Sequence, residues 1–271
     1  MERLQYIAAI PLICLLACGG QSSDDTAPDP GDSDSGQPGT NTGFAVSGTI
    51  QDYNTDETAD GTGLCVSIVD PTGAIAGGKY VVLASTTANI DGTFEVTDIV
   101  TSSAFGILML VASCDGDTSN VMYSASGIAL ESYQNLGGGD AIVDRTAWVI
   151  KDGYGGTLDT DLATAGYTGA SLTTTGALIG YVDDNAEAPL DNATVSCDNC
   201  VAETFYWGEG ETTFATAGAT NTATNANAGA KWIIPGAPIF TYHADAEGYA
   251  FETLLAGTIA EMAVFVAFSA E

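Results

Sequence analysis

The groups in this chain able to do chemistry are few in kind and lopsided in charge. There are six cysteines, one histidine, and 35 Asp or Glu against 5 Lys or Arg, a formal net charge of −30 over 271 residues. Imidazole chemistry hangs on His243 alone, which excludes most histidine-based catalysis and nearly all histidine-rich metal sites. A hydrolytic triad would have to recruit it, yet Phe240-Thr241-Tyr242-His243-Ala244-Asp245 reads as a strand end approaching a turn at Gly248-Tyr249, which makes His243 a surface residue. Carboxylate pairs such as Asp159 with Asp161, Asp183 with Asp184 and Glu209 with Glu211 arise by chance in so acidic a composition and do not point to a glycosidase. The chain has no Walker loop, dinucleotide fingerprint or H-E-x-x-H motif. No catalytic residue, cofactor or metal site is assigned, and the expected protein is not an enzyme.

Two patterns invite a binding reading. In Asp52-Tyr53-Asn54-Thr55-Asp56-Glu57 with Asp60, oxygen ligands recur at every second position, the best cation candidate in the chain. An EF-hand loop demands Gly where Glu57 stands and Glu where Gly63 stands, so any calcium affinity should be weak. Asp32-Ser33-Asp34-Ser35-Gly36 lacks the later bidentate Glu and reads as solvated linker. Phe205, Tyr206, Trp207 and Trp232 could line a sugar platform, although core packing is the commoner fate of such side chains.

The elements that must position these groups begin with an export signal. Residues 1–17 carry one cation at Arg3 and an apolar run from Tyr6 to Leu16, too short for the roughly 20 residues that span a bilayer. Leu15-Leu16-Ala17-Cys18 resembles the lipobox of bacterial lipoproteins. That resemblance implies diacylation of the Cys18 thiol, cleavage before it and acylation of the new amino group, an anchor that does not readily dissociate. Gly19 and Gly20 follow the cysteine, rather than Asp, which in lipoproteins of two-membrane bacteria implies sorting to the outer membrane, with leaflet and sidedness open. The stretch from Cys18 to Gly43 has almost no large apolar side chain and reads as a flexible tether. As a coil its r.m.s. span is roughly 25 to 30 Å. The charge excludes direct nucleic-acid binding, because phosphate contacts need clustered cations. The expected partners are the membrane, through the lipid, and an unidentified protein or glycan.

Past the tether, apolar runs such as Leu64 to Val69, Tyr80 to Leu83, Phe105 to Ala112, Ala177 to Val182 and Met262 to Phe268 have strand length and are bounded by turn residues. Ala45-Val46-Ser47-Gly48-Thr49-Ile50-Gln51-Asp52 returns as Ala177-Leu178-Ile179-Gly180-Tyr181-Val182-Asp183-Asp184. Thr87 to Val96 has a looser counterpart in Thr224 to Gly236, each a polar turn ending in Gly that launches a strand containing an aromatic. With Ala188-Pro189-Leu190-Asp191-Asn192-Ala193-Thr194-Val195, this order of parts resembles the carboxypeptidase-regulatory-like domain, a prealbumin-type sandwich. The resemblance implies an all-β chain of two antiparallel sandwiches, at 44–130 and 176–271, serving as spacer or interaction modules. Between them, 131–175 reads as a connector, with a helix over Asp159 to Ala165 that Thr157 can cap and Gly166 can end, Leu158 and Leu162 standing at i and i+4.

Four cysteines remain once Cys14 leaves with the leader and Cys18 takes lipid. An even number in an oxidising compartment implies bridges. Cys65 and Cys114 form one within the first half. Cys197-Asp198-Asn199-Cys200 forms a structural clip in the second, since an Asp stands inside the motif and no helix follows. The expected whole is a lipid-anchored envelope protein, with carbohydrate or calcium binding as the alternative.

Overall fold

The computed structural model describes residues 43–53, 55–75, 80–103, 106–116, 121–128, 132–151, 154–186, 188–201, 203–208, 214–216, 219–220, 223–226, 229–258, 260 and 262–270. The expected leader, Cys18 and the tether up to residue 42 lie outside the described residues, as do Asn54, Glu209 and Glu211.

The chain is all-β. In order come β1 (Phe44–Asp52), β2 (Glu57–Thr58), β3 (Leu64–Asp70), the turn-length α1 (Thr72–Ile75), β4 (Val81–Thr87), β5 (Thr93–Ile99), β6 (Ile107–Ser113), β7 (Val121–Ile128) and β8 (Ala141–Lys151). Then follow α2 (Tyr154–Thr164), α3 (Leu172–Thr175), β9 (Ala177–Asp183), β10 (Thr194–Cys197), β11 (Phe205–Tyr206), β12 (Ala215–Thr216) and β13 (Ala219–Thr220). The last strands are β14 (Lys231–Pro235), β15 (Phe240–Asp245), β16 (Leu254–Ala256) and β17 (Met262–Ser269).

The sequence repeat is a repeat of strand roles. β1 lies between antiparallel β5 and parallel β8. β9 lies between antiparallel β14 and parallel β17. The glycine at the centre of each copy has the same cause. A Cβ on Gly48 would overlap the carbonyl oxygen of Arg145 on β8, and one on Gly180 would overlap that of Val266 on β17. Only glycine lets the parallel neighbour approach so closely.

The parallel pairings were not legible locally, because each joins strands from opposite ends of a half. Such pairs need long crossovers and tend to be covered on both faces. Leu178, Ile179, Ala263 and Val264 accordingly sit buried on both sides of the β9–β17 pair. β8 itself falls in the stretch expected as connector, so 131–175 contributes an eleven-residue strand to the first sandwich.

The halves are also not separate bodies. β17 pairs in parallel with β7 as well as with β9, so one sheet runs β11-β14-β9-β17-β7-β6-β3-β4. The described residues accordingly form one compact unit. One core fills the first sandwich, with Val46, Ile50, Val66, Ile68, Phe94 and Ile107 among its members. Two more take residues from both halves: Tyr53 and Ile150 pack with Ile179, Phe205 and Phe265, while Val69 and Leu110 pack with Leu178, Trp232 and Tyr242.

The connecting helix starts earlier than expected, at Tyr154, because two weak helix formers, Gly155 and Gly156, hide its first turn in the sequence. Leu158 and Leu162 are fully buried, and Gly166 ends the helix at φ 105°. The Asp159 carboxylate accepts the Leu172 N–H at 2.7 Å, fastening α2 to α3.

Candidate functional site: the Asp52–Asp60 loop

β1 ends at Asp52 and the chain doubles back into β2, with Gln51 opposite Thr58 and Asp52 opposite Glu57. The reversal puts Asp56 at φ 55°, a left-handed conformation that Asp tolerates better than most residues. Its backbone N–H donates to the Asp52 carbonyl at 2.8 Å.

This geometry carries the Asp56 carboxylate to Lys231 on β14, where Nζ donates to Oδ2 at 2.6 Å. The Lys231 side chain is 8% exposed and that of Asp56 42%. The same ammonium stands 4.9 Å from the centroid of the Tyr53 ring, a favourable place for a cation over an aromatic face. Lys151, at the end of β8, donates from Nζ to the Asp60 carbonyl at 3.0 Å. The Asp60 carboxylate accepts the Thr62 N–H at 2.9 Å, and these Thr62 hydrogen bonds, aided by the Lys151 charge, hold its carboxyl below the usual carboxylate range.

The loop expected to offer oxygens to calcium is thus already served by cations of the chain itself. Glu57 is exposed and its N–H turns back to Thr55 Oγ1. Among the described residues no group of three or more His, Cys, Asp or Glu side chains is placed to hold a metal ion. What the arrangement does is fasten: Asp56 belongs to the first half, Lys231 to the second, and Tyr53 beside them packs edge-on against Trp148 and Trp207 and tilted against Phe265. The sequence held the carboxylates in view but gave no sign of the lysines, which are distant along the chain.

The aromatics considered as a sugar platform are core residues. Phe205 and Trp232 are fully buried, and Tyr206 and Trp207 nearly so. Tyr206 Oη accepts the Val195 N–H at 2.7 Å, and burial pushes the phenol above its ordinary pKa. Of the carboxylate pairs, Asp184 accepts the N–H groups of Ala186 and Ala188 in a turn, and burial raises the Asp161 carboxyl.

One grouping was not foreseen from the sequence. His243, partly exposed on β15, lies directly opposite Ser196 on β10, and its Nε2 is 2.9 Å from Ser196 Oγ. Its Nδ1 is 3.6 Å from Asp198 Oδ1, longer than a normal hydrogen bond. The order of groups is that of a hydrolytic triad, but it lies on an open sheet surface. Two cavities among the described residues lie elsewhere, one of about 330 Å³ between Phe44, Ser103 and Tyr133, another of about 590 Å³ between Thr49, Asn89 and Glu95. The disulfides are the two pairs named from the sequence, Cys65 with Cys114 across β3 and the end of β6, and Cys197 with Cys200 in the turn after β10.

No family model matches the chain, and no curated protein matches it. Among solved structures it is similar to the shaft pilin SpaA from Lactobacillus rhamnosus GG, over 85% of this chain and 98% of that one, at 12% identity and a TM-score of 0.26. It is similar also to the Bacillus anthracis TIE protein, over 84% of this chain and 34% of that one, at 13% identity and a TM-score of 0.24. A streptococcal ancillary pilin matches over 84% and 68%, at 12% and 0.24. All are remote at this level, and no residue role passes from them to this chain. No described helix is long and apolar enough to cross a membrane.

Proposed function

We propose that this chain is a non-catalytic, lipid-anchored protein of the cell envelope, whose joined sandwiches serve as a spacer or interaction module. The anchor reading rests on Leu15-Leu16-Ala17-Cys18 and on the tether that follows; the glycines after Cys18 support outer-membrane sorting. The observation that carries the spacer reading is the junction. A chain of two sandwiches on a bare linker would hinge, whereas here β17 pairs with strands of both halves and Lys231 reaches back to Asp56. Such a body holds a fixed distance between its ends. The burial of the four aromatics and the pairing of Asp56 with Lys231 weaken the alternative of carbohydrate or calcium binding.

The test is Cys18→Ser with metabolic fatty-acid labelling and detergent-phase partition of whole cells. The wild-type chain takes label and enters the detergent phase, and the variant does neither, accumulating as soluble or uncleaved protein. Labelling that persists in the variant would refute the anchor.

A further inference from the structure

Edge strands expose unpaired N–H and C=O groups, and folded proteins guard them with charge, brevity or distortion. Most edges of this protein are guarded. β5 carries Glu95 and Asp98, with Asp98 in a left-handed conformation at φ 59°. β2 and β11 have two residues each and β16 has three. β10 has four and runs directly into Asp198.

β4 departs from this pattern. It ends the long sheet, pairs with β3 alone among the described residues, and runs for seven residues, Val-Val-Leu-Ala-Ser-Thr-Thr, with no charge, proline or glycine. Val81 and Val82 are 57% and 53% exposed. A register shift opposite Ile68 and Val69 leaves Leu83 as a bulge, yet Ala84 to Thr87 run on in register with Ile68 to Cys65. In sequence the strand lies within residues 71–90, a stretch without Asp or Glu whose one charged residue is Lys79, and of the β3 residues paired with it only Asp70, opposite Val81, is a carboxylate.

We propose that β4 is a self-association edge, along which a second copy of this chain pairs its own β4 in antiparallel register and continues the sheet across a two-fold axis. Charge selects the occupant. A cationic partner would be drawn to the carboxylates that cover a chain of net charge −30, not to a stretch that lacks them. A second copy, carrying the same charge, can approach closely only where carboxylates are missing. Antiparallel pairing of one strand with itself is self-complementary, as a two-fold contact must be. It would satisfy the open N–H and C=O groups and cover Val81 and Val82.

The test is sedimentation equilibrium of the full chain in detergent micelles, at roughly 0.01 M and roughly 0.1 M salt, where the screening length falls from about 30 Å to about 10 Å. The expected result is a concentration-dependent dimer that strengthens with salt, weakened about tenfold or more by Val82→Glu and by Ser85→Glu, which set like charges along the shared edge. Val143→Glu, an equal charge at an exposed valine of β8, leaves the dimer in place. A wild-type chain monomeric at every concentration overturns the proposal, as does a dimer indifferent to both β4 variants or equally weakened by Val143→Glu. Should the β4 variants fail to fold, hydrogen exchange on the wild-type chain decides. The β4 amides gain protection as concentration rises, and unchanged exchange there overturns the proposal.

Discussion

Lys231 Nζ lies 2.6 Å from Asp56 Oδ2, joining the two halves of the chain through one of its five cations. The pair is asymmetric, the ammonium buried and the carboxylate partly open to water. That asymmetry decides which side of the pair is the costlier to lose.

Asp56→Ala takes away the carboxylate that a buried ammonium beside the Tyr53 ring meets at 2.6 Å, and removing one partner from a buried charge is strongly destabilising. Lys231→Met keeps the aliphatic stem and leaves a carboxylate that water can solvate, so only a weak, partly exposed ion pair is lost. The expected cost is about 2 kcal/mol or more for Asp56→Ala and about 1 kcal/mol or less for Lys231→Met. Adding Asp56→Ala to Lys231→Met should cost little more. Urea unfolding of the four proteins in a double-mutant cycle measures this, and equal costs for the two single variants would contradict it.

Local pattern was legible in the sequence and long-range partnership was not. The strands at Leu64, Ala177 and Met262, the helix that sets Leu158 and Leu162 one turn apart, and the repeat at Ala45 and Ala177 all follow from alternation, turns and spacing inside short windows. The parallel partner of β1 lies about a hundred residues further on, with Gly48 facing Arg145, and no window contains both. The Asp52 loop shows the same limit. Its carboxylates stand together in the sequence, but what they do depends on Lys151 and Lys231, which only the folded sheet brings to them. Ser196 and His243, 47 residues apart, meet for the same reason.

The two repeat glycines should be intolerant of the smallest side chain. Gly48→Ala and Gly180→Ala each drive a methyl into a neighbouring strand's carbonyl, which backbone cannot yield without losing ladder hydrogen bonds. Each should cost about 3 kcal/mol or more, at the upper end of overpacking effects. Gly127→Ala on β7, whose added methyl meets nothing within 4 Å, is the matched control and should be near neutral. Chemical denaturation of the three variants checks the contrast.

Tyr242 should set an alkaline limit to stability. Its hydroxyl donates to the Pro238 carbonyl at 2.7 Å, and burial pushes its pKa from 10.0 up to about 12. A folded-state pKa above the unfolded one means stability fully present below pH 10 and lost as the pH rises toward 12. At about 1.4 kcal/mol per unit, the loss across that window is about 3 kcal/mol. Tyr242→Phe should remove most of this slope at a cost of about 1 kcal/mol near neutrality, with Tyr206, also raised by burial, supplying a residual slope. Urea midpoints followed from pH 8 to 12 in both proteins decide it, and identical slopes would exclude Tyr242 as the cause.

The last prediction concerns how the protein answers salt. The chain carries 35 carboxylate side chains against 5 cations, most of both beyond the tether, so the folded body repels itself, and the Asp52–Asp60 loop engages two of those cations in its own closure. Counterions reduce the repulsion that remains, so the midpoint of thermal unfolding should climb as the screening length falls from roughly 30 Å at 0.01 M to roughly 10 Å at 0.1 M. Because Asp56 faces Lys231 and Asp60 faces Thr62, Ca²⁺ should do no better than Mg²⁺ at equal ionic strength. A sharp rise at micromolar Ca²⁺ alone would mean that the loop releases Lys231 to take an ion, since only binding to the folded state raises the midpoint at so low a concentration. A midpoint flat across all salts would instead remove self-repulsion from the account, leaving the carboxylates solvated singly and the Lys231–Asp56 contact as a local fastening without long-range electrostatic weight.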